Sequence, residues 1–209
     1  MAGPKIFGIG LSKSGTNSLT AALCELGYNA WHGGSYTYHN GHDLWDAIQD
    51  RGRRYAEGDT SVNILEGCEE YDAMTDHPIP VVYQHLDKQI PDAKFILTYR
   101  NPYDASLSMM RMCYPSWKGE KMGDAEPRSF SDQINKNVRH IEEVFNYFWN
   151  REDKFIVLDA AKGPANWKML CSFLGHDPQP YQGKPWPHKF NAAYWFPQRW
   201  QREGKKPQN

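Results

Sequence analysis

The residues best suited to bind an anion lie near the start of the chain, in the turn 10–15 and the residues after it. An apolar run, Lys5–Ile9, predicts a buried strand, and Gly10 and Gly15 allow the backbone to approach a ligand closely. The turn opens a helix whose first N–H groups lack helical partners and carry the positive end of the helix dipole. The side chains that add a charge or hydrogen-bonding groups are Lys13, Ser14, Thr16, Asn17 and Ser18. We therefore predict a phosphate or sulfate site, the alternative being an ordinary strand–turn–helix with a solvated lysine.

This turn differs from a nucleotide-hydrolysing P-loop in the position of its lysine. That motif reads G-x-x-x-x-G-K-[ST], and its hydroxyl binds Mg²⁺. Gly10 and Gly15 have the required separation, but Thr16 occupies the lysine position and the lysine lies inside the loop, at Lys13. A lysine there is closer to the bridging atoms of a transferred group.

A second candidate anion site lies in the segment Lys94–Met110. Its apolar start predicts a buried strand that ends at Arg100, and Pro102 fits the first turn of a following helix. Ser108 comes eight residues after Arg100, about two helical turns along. The guanidinium and the hydroxyl are therefore expected to converge on one anion. A surface pair between Arg100 and Asp104 is the alternative.

Hydrophobic periodicity predicts the elements that position these residues. Strands alternating with helices indicate βαβ units and an α/β fold, with a parallel sheet flanked by helices on both faces. Helices are predicted at 16–26, 44–49, 81–89, 129–150 and 167–174, and further strands at 29–31, 73–76 and 155–158. Sites in such sheets lie beyond the carboxyl ends of the strands, which is where Lys13, Asp76 and Arg100 fall.

One apolar face is predicted along the longest helix. The residues spaced three and four apart there are Ile134, Val138, Ile141, Phe145 and Phe148.

Length and charge narrow the class of protein. The 209 residues suit a single domain, 1–209, and the net charge of −1 gives no global field for nucleic acid or acidic membranes. No signal peptide or membrane-spanning stretch is recognisable, so a cytoplasmic enzyme is expected.

Free thiols are expected at the scattered cysteines Cys24, Cys68, Cys113 and Cys171. His39 and His42 lack a third ligand at useful spacing, so no metal site is predicted.

The two anion motifs resemble those of the PAPS-dependent sulfotransferases. The turn S-K-S-G-T-N-S resembles the family's 5′-phosphosulfate loop, usually P-K-S-G-T-T, and Y-R-N-P-Y-D-A-S-L-S resembles its 3′-phosphate motif. The matching residues of the second motif are Arg100, Asn101, Pro102, Asp104 and Ser108. The resemblance implies a P-loop NTPase-like sulfotransferase fold, PAPS as donor, PAP as product and no metal. It also implies that Lys13 stabilises the leaving group.

Two departures from the family pattern concern the donor site. Asn17 replaces the second threonine of the loop, which exchanges a hydroxyl for an amide. The R-K-G segment that closes on the 3′-phosphate in larger members has no clear counterpart. Lys184 or Lys189 is a candidate substitute, and a solvated lysine in the C-terminal segment is the simpler interpretation.

The catalytic base is sought in A-M-T-D-H-P-I-P, between the two motifs. Many cytosolic members read T-H-L-P there, with histidine as base; Thr75 and Pro78 match, and Asp76 falls on the histidine position. A small single-domain subfamily with D-x-P and an aspartate base resembles this chain more closely. We therefore assign Asp76 as base and His77 as runner-up. The alternative is that Asp76 caps the helix after Pro78.

The sequence thus predicts transfer of a sulfuryl group from PAPS to a hydroxyl or amine of a small-molecule acceptor. A P-loop kinase or nucleotide hydrolase and a non-catalytic nucleotide-binding module are the alternatives. The aromatic residues that could line an acceptor pocket are Trp31, His32, Tyr36 and Tyr38, and the polar loop 114–127 suits a lid or a connector. The acceptor's identity and the oligomeric state, a homodimer included, stay open.

Overall fold

The computed structural model describes residues 4–33, 42–113 and 126–188. Strands and helices alternate along most of this chain. The strands are β1 (Ile6–Gly8), β2 (Ala30–His32), β3 (Ala73–Thr75), β4 (Lys94–Tyr99) and β5 (Phe155–Asp159). The helices are α1 (Thr16–Glu25), α2 (His42–Ala56), α3 (Ile79–Gln89), α4 (Pro102–Cys113), α5 (Glu126–Tyr147) and α6 (Ala165–Leu174). Tyr36, Tyr38, His39, Lys189 and residues 114–125 of the predicted loop lie outside the described residues.

The five strands form one parallel sheet in the order β2-β3-β1-β4-β5. The chain builds one side of the sheet from β1 to β3 and then crosses to β4 on the other side of β1. Ligands bind where the strand order reverses in this way, beyond the carboxyl ends of the strands. The loops after β1 and β4 meet at this point, and they carry the two predicted anion motifs. The predicted α/β fold is confirmed, and the prediction of a single domain over 1–209 stays a prediction.

Both faces of the sheet are buried by helices, because alternate residues of each strand point to opposite sides. On β1, Phe7 lies in one core and Ile6 in the other. The core around Phe7 includes Ile79, Val82 and Leu86 of α3, Val144 of α5 and Phe148, the residue directly after α5. The core around Ile6 includes Leu19 and Leu23 of α1 and Trp167 and Leu170 of α6. The sheet therefore holds the loops at its carboxyl edge on a rigid base.

The predicted apolar face of the longest helix is wrong in part. Phe145 is 44% exposed, and the buried side of α5 includes Asn137 and His140 as well as Val144. These polar side chains have partners: the Asn137 amide donates to Ser106 Oγ at 2.9 Å, and His140 Nε2 lies 2.7 Å from the Ile9 carbonyl oxygen. Satisfied polar groups can be buried, so apolar spacing alone misassigned the face.

Several predicted boundaries also shift. Helix α2 is 15 residues long rather than confined to 44–49, and the ion pairs of Arg53 with Asp50 and Glu57 lie along its polar side. Helix α3 begins at Ile79 instead of 81, with Pro80 in its first turn where no N–H is needed. Helix α5 begins at Glu126, inside the segment predicted as a loop.

Free thiols are confirmed at Cys24, Cys68 and Cys171, and burial raises the pKa of Cys68 to about 11. The side chain of Cys113 lies outside the described residues. Among the described helices, none combines the length and the apolar character that crossing a bilayer requires.

Candidate active site

The loop after β1 is held against β4 by close packing at Gly10. A Cβ atom on Gly10 would lie 2.0 Å from Thr98 Oγ1 and 2.7 Å from the Thr98 carbonyl oxygen, so only glycine fits. Ser14 Oγ donates to the Leu11 carbonyl oxygen at 2.6 Å and lies 2.7 Å from Thr98 Oγ1. The Ser14 hydroxyl therefore shapes the loop in this structure, and its predicted contact with a ligand stays a prediction.

The N-terminus of α1 is open to an anion. Its N-cap residue is Gly15, in the left-handed region at φ 112°, and no side chain caps it. The first N–H groups of the helix, from Thr16 to Ser18, have no acceptor within the helix, and the dipole places positive charge there. Lys13 adds its charge from the preceding loop, where its Nζ lies 3.9 Å from Met112 Sδ.

Two of the predicted catalytic residues have left-handed backbones. In the part of the chain that the structure describes, three non-glycine residues have positive φ, and they include Lys13 at 75° and Asp76 at 68°. Such conformations cost energy and often occur at functional sites. This observation favours a functional reading of both residues.

The second anion motif adjoins the first. Arg100 follows β4, and its Nη1 lies 3.4 Å from the Lys13 carbonyl oxygen, at the outer limit of a hydrogen bond. Asn101 Oδ1 accepts from the Tyr103 N–H at 2.9 Å, which starts α4 and orients the helix that carries Ser108. No ion pair joins Arg100 to Asp104, both of which lie in the described range 42–113. The surface-pair alternative is therefore wrong.

Asp76 is buried, 6% exposed, and hydrogen-bonded to the loop after β1, residues 10–15, which we call the anion loop. Its Oδ1 accepts from Ser12 Oγ at 2.6 Å and from the His77 N–H at 2.9 Å. Helix α3 has Pro78 as its N-cap residue and no side-chain cap, so the alternative role of Asp76 as a helix cap is wrong. Sequence reasoning had not selected Ser12.

His32 is the site residue whose position the sequence did not reveal. Its Nε2 lies 3.4 Å from Asp76 Oδ2 and 3.1 Å from Thr16 Oγ1, and the residue is 3% exposed. Burial lowers the pKa of His32, Asp76 opposes this effect and Lys13 adds to it. The strand register would have indicated this position, because His32 ends β2 directly opposite Thr75, the residue before Asp76. The sequence had assigned it only to an aromatic pocket.

The runner-up base, His77, has a more open setting. The residue is exposed, and its main-chain N–H is the group that contacts Asp76. Partial burial of its ring lowers the pKa of His77, an effect that Asp76 opposes and Lys136 reinforces. Its predicted role as a base stays a prediction.

Asn17 carries an unsatisfied polar atom at the start of α1. Its Oδ1 is buried and has no hydrogen-bond partner among the described residues. A buried amide oxygen without a hydrogen-bond donor destabilises the protein, and a bound ligand or water usually supplies the missing donor. The uncapped helix end, Lys13 and Arg100 suit an anionic molecule. The unsatisfied Asn17 Oδ1 suits a molecule that also has hydrogen-bond donors.

Lys184 has a partner at the other end of α1. Its Nζ pairs with Glu25 Oε2 at 2.5 Å, at the C-terminal end of α1. The 10 residues of α1 separate that end from the anion loop, a length of about 15 Å. This pairing favours a role for Lys184 outside the donor site, and its role as a substitute for the R-K-G segment stays a prediction.

In the described ranges, no group of three His, Cys, Asp or Glu side chains is arranged to hold a metal ion. That the reaction needs no metal stays a prediction.

Known proteins resemble this chain in sequence and in fold. A family model described as a sulfotransferase domain matches residues 5–127, which include the anion loop, Asp76 and Arg100. The chain is 23% identical over 213 residues to Ava biosynthesis cluster protein M of Aspergillus versicolor, covering 88% of this chain and 80% of that protein. The crystal structure of a sulfotransferase from Alicyclobacillus acidocaldarius has a similar fold, with a TM-score of 0.50 and 16% identity over 99% of this chain and 98% of that one.

Proposed function

This chain belongs to the sulfotransferase domain family, and from that premise we propose that it transfers a sulfuryl group from PAPS to a hydroxyl or amine of a small-molecule acceptor, giving PAP and a sulfated product. The observation that carries the proposal is the 2.6 Å hydrogen bond from Ser12 Oγ to Asp76 Oδ1. A binding module needs an anion loop alone. A transferase also needs a base beside it, and here a buried carboxylate is bonded to the loop.

The donor's two anionic ends suit the two motifs. The open N-terminus of α1 and the Lys13 ammonium would hold the 5′-phosphosulfate, and Arg100 with Ser108 would hold the 3′-phosphate. The contact between Arg100 and the Lys13 carbonyl group supports this assignment, because it brings both motifs to one crevice. The amide of Asn17 is a further group that the donor could satisfy.

PAPS supplies the sulfuryl group, whose bond to a phosphate oxygen breaks as a new bond to the acceptor oxygen or nitrogen forms. Lys13 stabilises the negative charge that develops on the leaving oxygen. Asp76 takes the proton that the acceptor gives up. Ser12 and the His77 N–H fix the carboxylate through Oδ1, so that Oδ2 is the oxygen on which this proton is expected.

The site is poorly suited to the kinase or hydrolase alternative. A P-loop requires lysine at position 16 and a hydroxyl for Mg²⁺ at position 17. Thr16 stands at the first, its hydroxyl 3.1 Å from His32 Nε2, and Asn17 stands at the second.

The test is to supply sulfur-labelled PAPS with a panel of small alcohols, phenols and amines and to measure label in the products. Thermal shifts with PAP, PAPS, ATP and ATP·Mg²⁺ provide the binding control. We expect labelled product from at least one acceptor class and stabilisation by PAP without metal. Stabilisation by ATP·Mg²⁺ alone would favour the kinase, and PAP binding without transfer to any acceptor would favour the binding module.

A further inference from the structure

Three structural elements converge on the side chain of Asp76. Ser12, from the loop after β1, and the His77 N–H both contact Oδ1. The other oxygen, Oδ2, lies 3.4 Å from Nε2 of His32, at the end of β2. The same nitrogen lies 3.1 Å from Thr16 Oγ1, in the first turn of α1. His32 is thus the group that links Oδ2 to the helix behind the anion loop.

We propose that His32 is a positioning residue for sulfuryl transfer: its imidazole holds Asp76 Oδ2 in the orientation in which it receives the acceptor's proton. This inference rests on the proposed function and extends it by one residue. Neither the anion motifs nor the D-x-P segment contains His32.

The hydrogen-bonding capacity of the carboxylate supports this role. An ionised carboxylate offers about four lone-pair positions. Two donors occupy Oδ1, so the free capacity of Asp76 lies on Oδ2, where His32 is the neighbour. One contact at Oδ2 leaves a lone pair for the acceptor's proton and defines the direction in which it points.

The charge state of His32 also suits positioning. Burial lowers the pKa of His32, and the nearby Lys13 ammonium adds to this effect, while Asp76 opposes it. In the tautomer that carries its proton on Nε2, a neutral imidazole can donate to the ionised carboxylate without adding a second positive charge beside Lys13. When Asp76 gains a proton, a neutral neighbour does not repel the product state.

The kinetic test compares His32→Gln with His32→Asn. A glutamine amide can reach the position of Nε2, whereas the asparagine amide corresponds to Nδ1 and is too short. We expect His32→Asn to lower kcat about 10-fold with KM for PAPS unchanged, and His32→Gln to stay within about threefold of the wild type. The control is His85→Asn, which removes another buried histidine whose Nε2 lies 3.1 Å from the Val62 carbonyl oxygen. It is expected to lower stability and leave kcat unchanged.

A double mutant separates positioning from general support of the fold. If His32 acts through Asp76, adding His32→Asn to Asp76→Asn should change kcat by less than about twofold, because residues that act as a unit are not additive. A further full 10-fold loss in the double mutant would overturn the proposal. Equal activity of the wild type and His32→Asn would overturn it too.

A second readout needs no turnover. NMR titration of the His32 Cε1–H signal should give a lower pKa in Asp76→Asn than in the wild type, because the substitution removes the nearby negative charge. An unchanged pKa would overturn the pairing and with it the proposal. A shifted pKa in a protein that transfers no sulfuryl group would instead overturn the proposed function and leave the pairing intact.

Discussion

Ser12 Oγ donates a hydrogen bond of 2.6 Å to Oδ1 of Asp76 and so joins the loop after β1 to the end of β3. The two strands are neighbours in the sheet, with Gly8 paired to Thr75. Their carboxyl ends therefore bring a buried carboxylate to the same place as the open end of α1. This relationship places a candidate proton acceptor beside the loop that is predicted to bind an anion.

Replacing Asp76 with asparagine should remove the base and keep the shape of the site. We expect kcat for sulfuryl transfer to fall about 10²-fold or more, while PAP affinity stays within about threefold. Steady-state kinetics and calorimetric titration with PAP measure the two quantities. Asp92→Asn, at an exposed position, is the matched control and should change neither. Equal losses of kcat and of PAP affinity in Asp76→Asn would show that Asp76 supports the structure of the site and does not act as the base.

Replacing Arg100 tests the second anion motif. Hydrogen bonds to charged groups contribute about 1.5–3 kcal/mol, so Arg100→Ala should weaken PAP binding about 10- to 100-fold. Arg100→Lys should recover only part of this loss, since an ammonium cannot form the bidentate fork. The control is Arg53→Ala, which removes an exposed arginine paired with Asp50 and Glu57. A PAP dissociation constant unchanged in Arg100→Ala would show that the guanidinium does not bind the donor.

Buried histidines should make the protein less stable in mild acid. Burial lowers the pKa of both His32 and His140 below the ordinary value of 6.5. Below about pH 6.5 the unfolded chain then binds more protons than the folded one, so the free energy of unfolding falls as pH falls. Each group contributes a slope of up to about 1.4 kcal/mol per pH unit. Urea unfolding at pH 7.5, 6.5 and 5.5 measures this, and His140→Gln should reduce the slope. A free energy of unfolding constant across this range would contradict the expectation.

Asp87 should contribute to stability and not to catalysis. Burial alone would raise the pKa of Asp87, but hydrogen bonds from Lys154, Arg151 and Tyr147 hold it below its ordinary value. Because the substitution leaves the partly buried charges of Arg151 and Lys154 without their buried partner, Asp87→Asn should lower the free energy of unfolding by about 3 kcal/mol. Asp92→Asn again serves as the exposed control, with a change within about 0.5 kcal/mol. Urea denaturation measures both, and a kcat that fell with stability intact would contradict this separation of roles.

The sequence predicted much of the fold because burial leaves a periodic signal. Strands buried on both faces are short apolar runs, and both anion motifs follow such runs, so the carboxyl edge of the sheet was predictable. The order of the strands was not, since pairing partners are set by packing between distant segments. The buried face of α5 was misassigned because Asn137 and His140 are polar and yet satisfied in the core.

The candidate site was predictable where one motif held several of its residues. Lys13, Arg100 and Asp76 each lie in a short segment with recognisable neighbours. The contacts of His32 and Ser12 with Asp76 could not be predicted, because they join residues that lie 44 and 64 positions apart in the chain. For Lys184, the residue type alone suggested a phosphate ligand, whereas the structure pairs its ammonium with Glu25.

A crystal structure of the complex with PAP tests the central claim most directly. We expect the 5′-phosphate at the N-terminus of α1, within hydrogen-bond distance of main-chain N–H groups between Gly15 and Ser18. The 3′-phosphate should contact the Arg100 guanidinium and the Ser108 hydroxyl. PAP bound elsewhere, or an Arg100 side chain turned away from the 3′-phosphate, would contradict the assignment of this crevice as the donor site.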